Sequence, residues 1–177
     1  MGEDAFRAAG IWIVVLAIMG GGLIMAMMPQ PHDSPPSYRC MNNLKQLGGF
    51  FQVRQVDGRL EDLVGAAFFL QFRDEVRPEW MAVFRCPGGP EDVTCSYRGP
   101  DATSLGRLRD PGLRSVILAC CANGENGDEP FHDDGVCVLW SSGKVEFIPW
   151  EEMEGCDGGP VKVGPGSPDP RFRHLVR

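Results

Sequence analysis

Residues 135–149 read GVCVLWSSGKVEFIP, and this stretch predicts a β-hairpin. Two strand-like arms, residues 135–140 and 144–149, flank a short polar segment that ends in Gly143. A glycine at the turn between two such arms is typical of hairpins. In the second arm polar and apolar side chains alternate, which indicates a strand with one buried face. The C-terminal half of the chain is therefore expected to form an antiparallel sheet.

Further strands are predicted upstream of this hairpin. Residues 81–85 and 95–98 lie on either side of the turn cluster Cys86-Pro87-Gly88-Gly89-Pro90, and residues 115–121 are rich in aliphatic side chains. The chain contains 23 glycines and 15 prolines. Such a composition favours short strands and many turns over a helical bundle.

A helix is predicted over residues 38–56, because Cys40, Leu44, Leu47 and Phe51 recur at spacings of four, three and four. This spacing places all four side chains on one helical face.

A second helix is predicted over residues 61–75 and should end before Pro78, because proline disfavours a helical conformation at the preceding residue. The expected head is an α+β fold in which a helix packs on a small antiparallel sheet.

The N-terminal region predicts a membrane anchor. Residues 8–28 read AAGIWIVVLAIMGGGLIMAMM and contain no charged residue. A helix of this length is about 31 Å long, which matches the hydrocarbon core of a bilayer at roughly 30 Å. The acidic leader and the long apolar run differ from a cleaved signal peptide. The expected protein crosses the membrane once, with its N-terminus inside.

The chain is expected to divide into five parts. A short leader covers residues 1–7, and the transmembrane helix covers residues 8–28. A Pro-rich stalk covers residues 29–37, the α+β head covers residues 38–156, and a Gly- and Pro-rich tail covers residues 157–177. The composition of the tail predicts a loosely packed or disordered segment.

Charge and cysteine content limit the environment and the partners. The formal net charge is −7, which disfavours nucleic acid as a partner. No feature of the sequence indicates a small-molecule substrate. Seven cysteines in a small domain favour a compartment that permits disulfides, so the head is expected outside the cytoplasm.

The cysteines suggest disulfide bonds, although the sequence does not fix their pairing. Cys86 and Cys95 bracket a turn between two predicted strands, so a bond between them is expected. Cys40 is the alternative partner of Cys86, since that bond would dock the helix on the turn. A zinc site is disfavoured because the chain has no CxxC pair.

An acidic segment around His132 offers calcium candidates. Glu125, Asp128, Asp133 and Asp134 carry the oxygen ligands that calcium prefers, but their spacing matches no EF-hand. A solvated acidic loop is the simpler interpretation, with His132 as a structural hydrogen-bonding residue. No other cofactor is expected. Catalysis by a Cys121–His132 pair is disfavoured, because exported free thiols tend to oxidise, so the protein is expected to lack enzyme activity.

Several segments together resemble a known family. Residues 40–48 read CMNNLKQLG, a Cys-Pro turn and a Ser-Tyr strand follow, and His132 precedes Ser142-Gly143 by nine residues. This order resembles the pilin-like, pseudopilin-type family whose C-terminal hallmark is His, nine residues, Asp-Gly. Ser142 stands where that family has Asp, and the prepilin leader motif is absent. The matching positions are Cys40, Asn43, Leu44, Lys45, Gln46, Cys86, Pro87, Tyr97, His132 and Gly143.

The resemblance implies a pilin-like head that acts in assembly or protein interaction, in an apparatus of the type II secretion or pilus kind. The expected protein is thus a non-enzymatic, single-pass membrane protein with an exported head. Its expected partners are the lipid bilayer and other pilin-like or envelope proteins. The alternative is a calcium-dependent binding or adhesion module on a membrane tether.

Overall fold

The sheet is seen in a computed structural model, which describes residues 34–108, 116–122 and 130–177. It has five strands in the spatial order β4-β3-β2-β1-β5, and every neighbouring pair is antiparallel. The strands are β1 (Tyr97–Pro100), β2 (Ile117–Cys121), β3 (Gly135–Trp140), β4 (Val145–Pro149) and β5 (Leu175–Val176).

The predicted hairpin is confirmed at one edge of this sheet. Strands β3 and β4 pair in continuous register from Gly135 opposite Pro149 to Leu139 opposite Val145. Gly143 has a φ of +83°, which favours glycine at the turn.

The first helix, α1 (Pro36–Val56), confirms the apolar periodicity. Its buried residues include all four that define the predicted inner face, and this face packs on β3 and β4. Gly48 permits close packing there, since a Cβ atom at this position would lie 2.8 Å from Cδ1 of Leu139. The helix begins two residues before the predicted start, so Pro36 and Ser37 belong to α1 and not to the predicted stalk.

Two segments between α1 and β1 differ from the predictions. The helix expected over residues 61–75 is confined to α2 (Gly65–Leu70), followed by the 3₁₀ turn Arg73–Glu75. The strand expected over residues 81–85 is wrong, because the 3₁₀ helix Pro78–Phe84 occupies that segment. Pro78 starts this helix with a φ suited to a helical first turn.

The remaining helical elements of the described segments are short. They are α3 (Ala102–Leu108) and the 3₁₀ turns Trp150–Glu152 and Pro170–Phe172.

The C-terminal segment corrects the expectation of a loose tail. Val161, Val163, Phe172 and Leu175 are buried in the core, and β5 pairs with β1. Asp169 is fully buried and accepts hydrogen bonds from its neighbour Arg171. Residues 157–177 are therefore part of the folded domain.

No helix among the described residues is both long and apolar enough to cross a membrane. The longest of these helices, α1, has 21 residues but carries Arg39, Lys45 and Arg54, and charged side chains are costly within a bilayer. The transmembrane helix predicted for residues 8–28 lies outside the described residues. On this finding we correct the predicted fold class and localisation. The described fold is α+β, and neither the single-pass topology nor the exported location of the head is retained.

Candidate metal centre

Five buried side chains from five separate segments meet beside the sheet. They are Cys40 of α1, Cys86 of the turn after the 3₁₀ helix Pro78–Phe84, Cys121 of β2, His132 before β3, and Cys137 of β3. The ligand atoms of Cys40, Cys121, His132 and Cys137 all lie within 4.8 Å of one another. We refer to these four residues as the Cys3His cluster.

The pairing of β2 with β3 sets two of the cluster thiols side by side. Cys120 lies opposite Val138 in the register, so the next residue, Cys121, lies beside Cys137. The backbone N–H of Cys137 donates a hydrogen bond to Sγ of Cys121 over 3.3 Å. Side chains alternate between the two faces of a strand, so Cys120 projects to the opposite face from the cluster.

Cys40 joins the helix to this pair. It lies on the buried face of α1, one turn before Leu44. Its Sγ atom is 3.7 Å from the hydroxyl oxygen of Tyr97, which is fully buried in β1. The contact between Cys40 and Tyr97 thus joins α1 to β1.

His132 lies between the cluster thiols and the turn that contains Cys86. The residue forms an isolated β-bridge with Gly135, which fixes its backbone beside the start of β3. Its Nε2 atom lies 3.4 Å from Sγ of Cys86. Gly88 lets the turn approach this closely, since a Cβ atom there would lie 2.8 Å from the carbonyl oxygen of Phe131 and 3.3 Å from Nδ1 of His132.

The cluster favours negative charge at one sulfur atom. Burial alone would raise the pKa of Cys121, but hydrogen bonds with Cys137, Cys40, Cys86 and His132 hold this pKa well below its ordinary value. Cys121 is therefore the thiol of the cluster that loses its proton most readily.

The other groups of the cluster shift in the opposite direction. Burial would lower the pKa of His132, but hydrogen bonds with Cys121 and Cys86 raise it to about 10. Burial raises the pKa of Cys40 well above its ordinary value. The hydrogen bond with Cys121 is the main cause that raises the pKa of Cys137. The lowered pKa of Cys121 favours its thiolate form, and a metal ion would bind that thiolate together with His132 in its neutral form.

The donor set fits one tetrahedral metal ion. Zinc binds cysteine sulfur at about 2.3 Å and histidine nitrogen at about 2.0–2.1 Å, so its ligand atoms lie roughly 3.3–3.8 Å apart. The ligand atoms of the Cys3His cluster all lie within 4.8 Å of one another, so a zinc ion would draw them together by about 1.5 Å at most. A structural zinc site commonly uses three cysteines and one histidine.

The predicted disulfides are wrong. All seven cysteines are free thiols. Cys86 contacts His132, and Sγ of Cys95 donates to the carbonyl oxygen of Tyr97 over 3.7 Å, so each thiol has a partner of its own. The alternative bond between Cys40 and Cys86 is also absent, although both thiols belong to the same group of contacts.

Among the described residues, no predicted calcium ligand belongs to the Cys3His cluster. Asp133 and Asp134 are exposed, while Glu125 and Asp128 lie outside the described residues. The carbonyl oxygen of Asp133 accepts a hydrogen bond from Nε1 of Trp150 over 2.7 Å. The carbonyl oxygen of Asp134 accepts one from the backbone N–H of Trp150 over 3.2 Å. In this structure the backbone of these two residues anchors the end of the hairpin.

Other residues that match the pilin-like family lie in the elements around the cluster. Nδ2 of Asn43 donates to the carbonyl oxygens of Ala82 and Arg85 over 3.3 and 2.9 Å, which ties α1 to the 3₁₀ helix. Leu44 is in the core, Lys45 is exposed and Gln46 is half-buried. Pro87 is half-buried in the turn that holds Cys86.

The sequence did not reveal the metal centre because its ligands are scattered. Zinc sites are usually recognised by pairs such as CxxC, and here the cluster ligands lie at positions 40, 121, 132 and 137. Two features of the sequence pointed towards it. Cys40 lies on the predicted buried face of its helix, and Cys120 and Cys121 project to opposite faces of one strand. Comparison with protein-family models, with curated proteins and with solved structures gave no match to this chain. The resemblance to the pilin-like family therefore stays a prediction.

Proposed function

We propose that this protein is a non-enzymatic, zinc-binding α+β module, in which one Zn²⁺ ion joins the helix to the sheet. The observation that carries this proposal is the Cys3His cluster, with four buried ligand atoms within 4.8 Å of one another. Cys40 would hold the ion from α1, Cys121 and Cys137 from neighbouring strands, and His132 from the segment before β3.

The chemistry of the donors supports zinc over harder cations. Thiolates are soft ligands that select Zn²⁺, Cu⁺ or iron, whereas calcium and magnesium require oxygen ligands. The cluster offers three sulfur atoms and one imidazole nitrogen, all buried.

A structural role follows from the closed coordination. A catalytic zinc ion keeps an open position for water or substrate, while a structural zinc ion is held by four protein ligands. The four donors of the cluster would fill a tetrahedron, and Cys40, Cys121 and Cys137 have no exposed surface. The ion would therefore act as a cross-link within the domain.

The energetic effect of such a cross-link is large. The apparent binding free energy of structural zinc is about 10–16 kcal/mol in small domains near neutral pH, and it adds to the free energy of folding. In this chain it would join segments that are up to about 100 residues apart in sequence.

A role in assembly or protein interaction is the biological context that we propose for this module. Cys40, Cys86 and His132, three positions at which the chain resembles the pilin-like family, contact one another or a shared neighbour. This convergence supports a common head architecture, with other pilin-like proteins as partners. Purification of the tagged full chain from cells, with mass spectrometry of the proteins bound to it, tests this role. Recovery of pilin-like proteins in amounts comparable to the chain supports it, and recovery of the chain alone contradicts it.

The zinc proposal is tested by the metal content of the full chain and of single variants. The wild-type protein should contain one zinc ion per chain, and Cys137→Ala should contain much less. Cys95→Ala is a suitable control, because Cys95 is buried but donates to the carbonyl oxygen of Tyr97 and is not a cluster ligand. Equal zinc in both variants, or none in the wild type, would refute the proposal.

A further inference from the structure

A fifth potential metal ligand, Cys86, lies next to the Cys3His cluster. A four-coordinate zinc ion does not need it. Sγ of Cys86 lies 3.4 Å from Nε2 of His132, whose ligand atom is in turn within 4.8 Å of the sulfur atoms of Cys40 and Cys121. Cys86 is not one of the four residues whose ligand atoms lie within 4.8 Å of one another. A bound ion held by those four residues would therefore leave the thiol of Cys86 uncoordinated and in contact with its ligands.

Cys86 also lies on the side of the cluster that is nearest to solvent. The exposed fractions of Cys86 and His132 are 2% and 7%, while those of Cys40, Cys121 and Cys137 are all 0%. The turn that carries Cys86 continues into Gly88, which is exposed. Among the four thiols of this group, Cys86 is therefore the one whose side chain retains any exposed surface.

We propose that Cys86 is an oxidation site through which hydrogen peroxide releases the zinc ion. The inference rests on the proposed zinc site and adds a regulation to it. A thiol that is close to metal-bound thiolates has the resolving partner that a redox-sensing cysteine requires. Cys121 and Cys40 are the thiols in question, since both lie around His132, the residue that Cys86 contacts.

The chemistry balances in two steps. The sulfur of Cys86 attacks one oxygen of peroxide and the O–O bond breaks, which yields a sulfenic acid on Cys86 and one molecule of water. The zinc-bound thiolate of Cys121 or Cys40 then attacks the sulfenic sulfur, so that an S–S bond forms and hydroxide leaves. Two sulfur atoms lose two electrons, and the peroxide gains them. The ion keeps only two thiolates and His132, and it passes to solvent.

The test compares the full-length wild type with Cys86→Ser and with the control Cys95→Ser. Cys95 is a suitable control because it is as buried as Cys86, with an exposed fraction of 3% against 2%. Zinc content is first measured in untreated, reduced samples. Each sample is then exposed to hydrogen peroxide, and the released zinc is followed with a colorimetric chelator. Disulfides in the wild type are mapped by mass spectrometry of peptides.

The expected result is one zinc ion in each untreated protein. Release under peroxide should be at least about tenfold slower in Cys86→Ser than in the wild type and in Cys95→Ser. The wild type should contain a disulfide between Cys86 and either Cys121 or Cys40.

Other outcomes separate the two proposals. Absence of zinc from the untreated wild type refutes the zinc site itself. Zinc in the wild type together with equal release from all three proteins, or with a disulfide that lacks Cys86, refutes only the oxidation site. Loss of zinc from untreated Cys86→Ser also refutes it, because Cys86 would then be a ligand.

Discussion

The Nε2 atom of His132 lies 3.4 Å from the Sγ atom of Cys86, although the two residues are 46 positions apart in the chain. This contact joins the turn after the 3₁₀ helix Pro78–Phe84 to the segment that leads into β3. Cys86 and His132 keep a small exposed fraction, whereas Cys40, Cys121 and Cys137 have none. The metal-binding side chains come from one helix, two strands and the segment before β3, and Cys86 lies next to them.

The neighbouring cysteines of β2 provide a matched test of the metal centre. Cys121 belongs to the Cys3His cluster, whereas Cys120 projects to the other face of the strand, and both are fully buried. We expect Cys121→Ala to lose zinc and to unfold at a much lower temperature. Cys120→Ala should keep one zinc ion and lose about 1 kcal/mol of stability from the cavity. Metal analysis and calorimetry measure both effects, and a similar loss of zinc in the two variants would argue against the cluster as the site.

Removal of the metal should destabilise the wild-type protein. A strong zinc chelator removes the ion and with it the binding free energy, so the melting temperature should fall by more than about 10 °C. Zinc should restore the original value under reducing conditions, whereas calcium and magnesium should not, because they do not favour sulfur ligands. A melting temperature that is insensitive to the chelator in a sample shown to have lost its zinc would contradict a structural role.

Two adjacent glycines of α1 should respond differently to alanine. A Cβ atom at Gly48 would lie 2.8 Å from Cδ1 of Leu139, whereas a Cβ atom at Gly49 would have no atom within 4 Å. Gly49→Ala should stabilise the domain by about 0.5–1 kcal/mol, since glycine weakens a helix interior. Gly48→Ala has the same helix gain but should lose it through overpacking against Leu139 of β3, so it should be about 1–2 kcal/mol less stable than Gly49→Ala. Urea unfolding measures both, and equal effects would exclude the close helix–sheet packing.

Asp169 should make stability depend on pH at acidic values. Burial alone would raise the pKa of Asp169, but hydrogen bonds from the side chain and backbone of Arg171 lower it below its ordinary value. Because the pKa is lower in the folded state, this stabilisation is present above the unfolded pKa of about 4 and is lost as the pH falls through the folded pKa. Urea unfolding between pH 7 and pH 3 measures the loss.

The variant Asp169→Asn tests the same interaction at one pH. At pH 7 it should lose about 2 kcal/mol, since it removes charge-assisted hydrogen bonds to Arg171. Its stability should also depend less on acidic pH than that of the wild type. Glu151→Gln is the control, because Glu151 is exposed. An unchanged pH dependence in Asp169→Asn would rule out the contribution of Asp169.

The parts of the fold that the sequence predicted are those with a clear local period. The spacing of Cys40, Leu44, Leu47 and Phe51 predicted the buried face of α1, and the alternation around Gly143 predicted the hairpin. Residues 81–85 show no such period. A short apolar run without a period fits a strand and a helical turn equally well. That segment proved to be part of a 3₁₀ helix.

The tail and the metal centre depend on contacts between distant segments. Val161 and Leu175 are buried, and Leu175 pairs with Pro100 of β1, which the Gly- and Pro-rich composition of the tail does not show. The pair Cys121 and Cys137 depends on the register of β2 with β3, and that register shifts between Ile117 and Ala119. A local pattern cannot specify such a shift, so the cluster could not be found from the spacing of its cysteines.

The zinc-to-sulfur ratio of the purified, reduced full chain, measured by inductively coupled plasma mass spectrometry, tests the central claim most directly. The chain has seven cysteines and eight methionines, so sulfur counts the protein independently of any assay of concentration. The proposed centre gives one zinc atom per fifteen sulfur atoms. A folded, reduced protein whose zinc content stays at the level of the buffer, even after refolding with zinc, would contradict it.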